Sequence, residues 1–363
     1  MHLVGFDEKD WLTRFPFELS HRFRIMSRTQ HAVVITAPGG PDVLAVKNDW
    51  PVPALGDDDV LIEVKAAGVN RHDCNQRRAG PSHEPNPVPG LEAAGRIVAF
   101  GKNVPARRVS EAVMTLTDGG SYAQFVATPS ELALTKPDGL DWISAAALPE
   151  ALFTTWYNFF DLMALKPGES ALIHGATSGV GSIAAQLLKA LGHPVFGTAG
   201  TADKRKAALA FGYDAVFDYN APDLPSQVRQ ATGGRGVDAI LDMSAGAHLA
   251  ADLAMIASDG RIAHLSAGGG KDLAVPLRQL MGRRVRITGA FLRATPVQMK
   301  IAVARQLREK VWPLLGKAII PHVAATYPLN GAADAHRHLE EGRQVGKIVL
   351  ALDAMAGCRT ARV

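Results

Sequence analysis

The run Ala171-Leu-Ile-His-Gly-Ala-Thr-Ser-Gly-Val-Gly181 carries the most specific chemistry in the chain: a short apolar strand enters a glycine-rich turn that opens a helix continuing to Gly192. Such a turn cradles a dinucleotide pyrophosphate, because glycines admit close backbone approach and the first helical amides point at the phosphates. Ala176 and Ser178 stand where the first two glycines of G-x-G-x-x-G fall, and Gly181 keeps the third. A second apolar strand, Pro194–Ala199, completes a strand-helix-strand unit, which raises the pattern above a lone glycine motif.

The end of that second strand selects the nucleotide. NAD sites place an acidic residue about 20 residues beyond the turn for the ribose 2'-hydroxyl. Here the region reads Thr198-Ala-Gly-Thr-Ala-Asp-Lys-Arg205. Small residues at Ala199 and Gly200 leave room for a 2'-phosphate, and Lys204 and Arg205 can neutralise it, so NADPH is favoured over NADH. Asp203 either serves a ribose or caps a helix starting at Lys204.

The elements that must hold these residues follow from pattern. From His31 to Phe125 the chain reads as short strands broken by Gly and Pro, a barrel-like β domain. Beyond Trp142, helices alternate with apolar strands, which gives an α/β doubly wound parallel sheet of Rossmann type. A helix follows Thr295-Pro296, with Val297, Ile301, Ala304, Leu307 and Val311 as its apolar face. The terminal strand Gly346–Leu352 returns to the first domain. The expected division is an extension at 1–25, a catalytic domain at 26–150, a cofactor domain at 151–292, a return to the catalytic domain at 293–353 and a tail at 354–363. Residues 1–25 fit neither a signal nor a transit peptide, since Asp7, Glu8, Asp10 and Glu18 interrupt them. They read as an accessory segment or an overlong start.

Composition bounds the function class. The 363 residues are 47% hydrophobic and 20% charged, with a net charge of +4. The basic residues are scattered, so no nucleic-acid surface is expected. No apolar run reaches the roughly 18 residues of a membrane span. Cys74 and Cys358 cannot form a cysteine-rich zinc site, and a reducing cytoplasm fits them.

Seven ordered stretches carry a resemblance over roughly residues 30–352: Ala66-Ala-Gly-Val-Asn-Arg-His-Asp73, Pro89-Gly-Leu-Glu-Ala-Ala-Gly95, Gly119-Gly-Ser-Tyr-Ala123, Leu148–Trp156, the glycine turn, Gly234–Asp242 and Gly346-Lys-Ile-Val-Leu350. The chain resembles the medium-chain dehydrogenase/reductase superfamily, and within it the zinc-free NADPH:quinone oxidoreductases. Through Phe291-Leu-Arg293 and Val311–Leu315 it is most similar to the p53-inducible group. The resemblance implies a GroES-like barrel as the catalytic domain and a homodimer joined at edge strands, for which Arg286–Leu292 is the candidate.

Position argues against metal. Asn70 and Leu91 stand where zinc-dependent relatives carry Cys and His; Leu cannot ligate, and an amide is a poor zinc ligand. Glu150 matches the third position, and one carboxylate does not make a site. Without a Lewis acid, alcohol oxidation loses its main alkoxide stabiliser, whereas an electron-poor acceptor needs mainly a well-placed hydride. The implied reaction is hydride transfer to a quinone, alternatively to activated double bonds of 2-alkenals, enones or enoyl thioesters. A third reading is an NADPH- or RNA-binding protein with vestigial catalysis.

The resemblance also implies roles. Asn70 is the pocket amide beside nicotinamide and acceptor, and Thr154 the hydroxyl touching the nicotinamide. Gly175, Thr177, Ser178, Gly179 and Val180 form the pyrophosphate turn. Lys204 and Tyr219 contact the 2'-phosphate, with Tyr219 alternatively closing the adenine edge. Ser244, Ser266 and Ala267 line the cleft; Phe291, Leu292 and Arg293 close over the nicotinamide; Lys347 contacts a phosphate. For these last residues packing is an equal alternative. Asp73 either relays a proton or is bonded to loop amides. Asn75 replaces a common Tyr, the Pro-rich loop Ala79–Pro89 shapes the cleft mouth, and His174 ends its strand in a structural hydrogen bond.

Overall fold

A computed structural model describes residues 29–244, 246–266 and 272–352. The extension at 1–25, Ala267 and the tail at 354–363 lie outside the described residues. No helix among the described residues is long and apolar enough to cross a membrane.

The N-terminal part is a β domain. Strands β1 (Thr29–Ile35) and β2 (Leu44–Pro51) pair antiparallel. The larger sheet contains β3 (Asp59–Val69), β4 (Glu92–Phe100), β5 (Ala112–Leu116), β6 (Phe125–Pro129) and β7 (Ala133–Thr135). Helix α1 (Arg71–Ala79) leaves β3 directly at Asn70. Helices α2 (Trp142–Ala146) and α3 (Pro149–Trp156) then lead out, and a π-helical turn extends α3 over Tyr157–Leu162.

The cofactor domain follows with β8 (Ala171–His174), α4 (Gly179–Ala190), β9 (Val195–Thr198), α5 (Ala202–Leu209), β10 (Ala215–Phe217), α6 (Leu224–Ala231), β11 (Val237–Asp242), α7 (Leu249–Met255), β12 (Ile256–His264), α8 (Leu277–Arg283) and β13 (Arg286–Gly289). Its six strands lie in the order β10-β9-β8-β11-β12-β13 and every pair is parallel. This is the doubly wound order whose switch point, between β8 and β11, opens a crevice at the carboxyl ends of the strands. Buried on both faces, the central strands read as apolar runs rather than alternations. Helix α4 explains why the glycine turn is rigid: Ile183, Ala184, Leu187 and Leu188 are fully buried at helical spacing. Each such large side chain stabilises by roughly 1.5–3 kcal/mol.

Helix α9 (Val297–Lys310) buries Ile301, Ala304 and Leu307 as the periodicity predicts. Val297 is the exception and is exposed, because it occupies the first turn, where the helix projects beyond its packing surface. Strand β14 (Val323–Pro328), helix α10 (Ala332–Glu341) and β15 (Lys347–Ala351) complete the described chain. β15 pairs antiparallel with β3, Ile348 opposite Val69, which places Lys347 beside the start of α1.

Candidate active site

The glycine turn is built by contacts that reach through the backbone. Gly175 has φ of +74°, which favours glycine. A Cβ on Gly181 would lie 2.4 Å from the Gly175 carbonyl oxygen, so the third glycine is fixed by close packing of helix start on strand end. Ser178, where a glycine would usually stand, caps α4 by accepting from the Gly181 amide at 2.9 Å. The remaining amides at the helix start are free to meet an anion.

Beyond the turn lies a cleft of about 650 Å³ lined by Gly175, Thr177, Gly200, Lys204, Tyr219 and Arg343, among others. Tyr219 lies over Gly200: a Cβ there would come within 2.3 Å of its hydroxyl. The Lys204 ammonium donates to the carbonyl of Gly342, tying cofactor domain to return segment. Two expectations are corrected here. The cap of α5 is Thr201, which accepts from the Lys204 amide, and the helix begins at Ala202, so Asp203 is not the cap. Arg205 turns to Asp218 at 2.8 Å, its charge compensated, and does not line the cleft. Arg343 takes that place; sequence reasoning missed it because it lies 138 positions beyond Arg205 and enters from the other domain.

The return segment runs along the crevice. Gly342, Arg343 and Val345 line the cleft, and the Gly346 amide donates to the Thr177 carbonyl at 2.8 Å. The stem of Lys347 then covers Gly179, where a Cβ would stand 2.3 Å from Cδ. The resemblance gave Lys347 to a phosphate. Instead its ammonium donates to Asn70 Oδ1 at 2.6 Å and to Glu92, because the buried Glu92 carboxylate and the half-buried Asn70 amide oxygen both face it. The Asn70 amide nitrogen donates to Glu92 Oε1 at 2.8 Å, and Glu92 Oε2 accepts the Glu150 backbone amide at 2.9 Å. One turn along α3, the buried Thr154 hydroxyl donates to Glu150 Oε1 at 2.9 Å. Burial pushes the Glu150 carboxyl above the usual range; Lys347 opposes this and the charge of Glu92 adds to it. Asn70 and Thr154, chosen from sequence, are thus brought together, and Glu92, which was quoted within Pro89–Gly95 but given no role, joins them.

Other expected residues sit elsewhere. Asp73 is fully buried behind Asn70: Oδ2 accepts from the Asn70 amide at 2.7 Å and from Tyr122 at 3.1 Å, and Oδ1 from the Gly90 amide at 3.1 Å. Its carboxyl clamps loops and faces no open cleft, which favours the second of its two readings. Arg293 donates to the Asp118 carbonyl at 2.8 Å and pairs with Glu84 at 2.7 Å, latching the segment after β13 to the Pro-rich loop. Phe291 is exposed, and Leu292 packs on the core. Ser244 follows β11 and donates to Asp242 at 3.0 Å; Ser266 follows β12. His174 ends β8 between Thr198 at 2.9 Å and Asp252 at 2.8 Å, a structural role.

The chain matches two family models, one described as the alcohol dehydrogenase GroES-like domain over residues 56–138 and one as zinc-binding dehydrogenase over residues 179–308. It is 31% identical to human quinone oxidoreductase over 332 residues, covering 90% of this chain and 98% of that one. The solved quinone oxidoreductase of Thermus thermophilus, described with its NADPH complex, superposes with a TM-score of 0.74 at 28% identity, covering 89% and 100%. The CurK enoyl reductase superposes with a TM-score of 0.76 at 25% identity, covering 89% and 99%. The description of the second model implies zinc, and the donor set does not fit it. Asn70 and Leu91 offer no soft ligand, and the Lys347 ammonium already satisfies Asn70 and Glu92, so a dication there would meet a fixed like charge.

Proposed function

This chain belongs to the quinone oxidoreductase family of medium-chain dehydrogenases and reductases, and on that footing we propose that it uses NADPH to reduce a quinone. The observation that carries the reading is the order of groups along the crevice: a cleft in which Lys204 and Arg343 outnumber Asp203, the glycine turn, then the Asn70–Lys347 cluster. An extended dinucleotide laid on that path has its 2'-phosphate at the first, its pyrophosphate at the second and its nicotinamide at the third.

Bound there, the cofactor supplies a hydride to an electron-poor acceptor. Lys204, Arg343 and the Tyr219 hydroxyl would hold the 2'-phosphate, and the amides of Thr177, Gly179 and Val180 the pyrophosphate, the Ser178 amide being bonded to the Gly175 carbonyl. Asn70 is fixed by Lys347 and Glu92 on its side chain and by Asp73 on its amide, so its position at the acceptor is set before binding. Thr154 presents the wall beneath the nicotinamide. The latch of Arg293 on Glu84 and Asp118 holds the Pro-rich loop at the mouth and keeps water out. Ser244, Ser266, Phe291 and Leu292 extend the cofactor wall.

The likeness to an enoyl reductase supports a second reading, reduction of a conjugated double bond in the same pocket. An acceptor panel run with NADPH and NADH decides: a naphthoquinone at least tenfold faster than a short 2-enal, with NADPH over NADH, is expected. Faster enal turnover reverses the order, and no turnover with any acceptor removes the reading. As a homodimer, two copies would join at β13, which with β10 is one of the two edge strands of the six-stranded sheet and is flanked by exposed Leu277, Met281 and Phe291. Buried, unpaired Cys74 suits a reducing cytoplasm.

A further inference from the structure

Two-electron reduction of a quinone takes up one hydride and one proton, and the nucleotide carries only the hydride. The inference below therefore rests on the reductase reading. Among the described residues, the side chains with exchangeable protons at the redox end are Asn70, Thr154, Glu150 and Lys347. Asn70 does not ionise in the working range of pH. Lys347 is the counter-charge of fully buried Glu92, and giving up its proton would leave that carboxylate without compensation. Thr154 donates to Glu150 and has no acid of its own to draw on except that carboxyl. Asp73 faces away, with both oxygens engaged.

Glu150 differs from all of these. It is only partly buried, on the first turn of α3, with Oε1 accepting the Thr154 hydroxyl. Its Oε2 has no hydrogen-bond partner among the described residues, so a proton carried there is open to a ligand beside Thr154. We propose that Glu150 in its acid form is the catalytic residue that protonates the reduced acceptor. The hydride brings both electrons to the acceptor and leaves an oxyanion. The O–H bond of Glu150 then breaks with its electron pair retained on Oε2, and the proton forms the new O–H bond of the hydroquinone, or of the enol when the acceptor is an enone. The carboxylate is reprotonated from water. Burial and the neighbouring charge of Glu92 from β4 raise its carboxyl above the usual range, while Lys347 from β15 and the Thr154 bond work against them.

The test is Glu150→Gln, which keeps an oxygen for Thr154 and removes the acidic proton. NADPH affinity, measured by fluorescence titration, is expected to change less than threefold. Infrared difference spectra, wild type minus variant, are expected to show a protonated carboxyl at neutral pH that is lost as pH rises. Quinone turnover is expected to fall by about 100-fold or more, with the alkaline decline of wild-type kcat absent from the variant. A carboxylate already ionised at neutral pH, or a variant with kcat within threefold of wild type and the same pH profile, overturns the assignment. Should the Gln variant not fold, Glu150→Asp is expected to keep the alkaline decline at reduced kcat, and loss of that decline overturns it equally. Wild-type inactivity with every acceptor instead removes the reductase reading itself, which separates the two failures.

Discussion

Lys347 and Asn70, 277 positions apart in the chain, meet at 2.6 Å through an ammonium and an amide oxygen, with Glu92 bonded to both. This triad, with Lys347 and Glu92 buried, joins the last described strand to the start of α1 and orients the side-chain amide at the redox end. Lys347→Met should therefore leave Glu92 as an uncompensated buried charge and destabilise the fold by roughly 3–5 kcal/mol. Adding Glu92→Gln should restore much of that loss. Urea midpoints for the two single variants and the double form the cycle; additive losses would mean that the pair is not coupled.

Nucleotide choice should reside in Lys204 and Arg343. Each offers a charge-assisted bond to a 2'-phosphate worth roughly 1.5–3 kcal/mol, so Lys204→Ala or Arg343→Ala should weaken NADPH by about one to two decades and leave NADH nearly unchanged. Titration of both nucleotides against both variants measures it. Equal losses for the two nucleotides would show that these side chains do not read the phosphate.

Stability against pH should carry two opposed contributions from one buried chain, in which Tyr122 bonds Asp73 at 3.1 Å and His336 at 3.3 Å. Burial lowers His336 from 6.5 to about 3, with Arg77 adding to the shift, so the unfolded chain takes its proton first and stability is lost as pH falls from about 6.5 to about 3. Burial raises Asp73 from 3.8 to about 7, against the bonds from Asn70, Tyr122 and Gly90, so the folded chain takes that proton first and stability is gained as pH falls from about 7 to about 4. His336→Asn, which keeps an acceptor for Arg77, should leave only the gain and make the protein more stable at pH about 4.5 than at about 7.5, by on the order of 3 kcal/mol. Denaturation midpoints across that range give the sign. An unchanged slope would place the acid-sensitive group elsewhere.

Self-association should depend on the edge strand β13. Met281→Glu combined with Leu277→Glu puts charge on two exposed apolar positions of α8 beside that edge and should shift the protein to monomer without lowering its melting temperature. Sedimentation velocity reads the outcome. A dimer that survives both charges would move the interface to another face.

Local pattern reached far into this molecule. The glycine turn, the apolar strand runs and the spacing of α9 are short-range features, fixed by backbone stereochemistry and by which side of each element is apolar, and they foretold the doubly wound sheet and the crevice at its carboxyl edge. Lys204, Tyr219, Asn70 and Thr154 could be picked out one by one for the same reason, since each sits at a set distance from a motif. Folding alone settled which charges meet. Arg205 looked as available as Lys204 until Asp218 claimed it, and Lys347 looked like a phosphate ligand until the pairing of β15 with β3 carried it to Asn70 and Glu92. Arg343 and Glu92 acquired their places only when distant segments were packed together, Glu92 against Lys347 across 255 positions. A side chain's charge is written in its identity, but its partner is set by long-range strand pairing and burial, where the cost of an unpaired ion selects one arrangement.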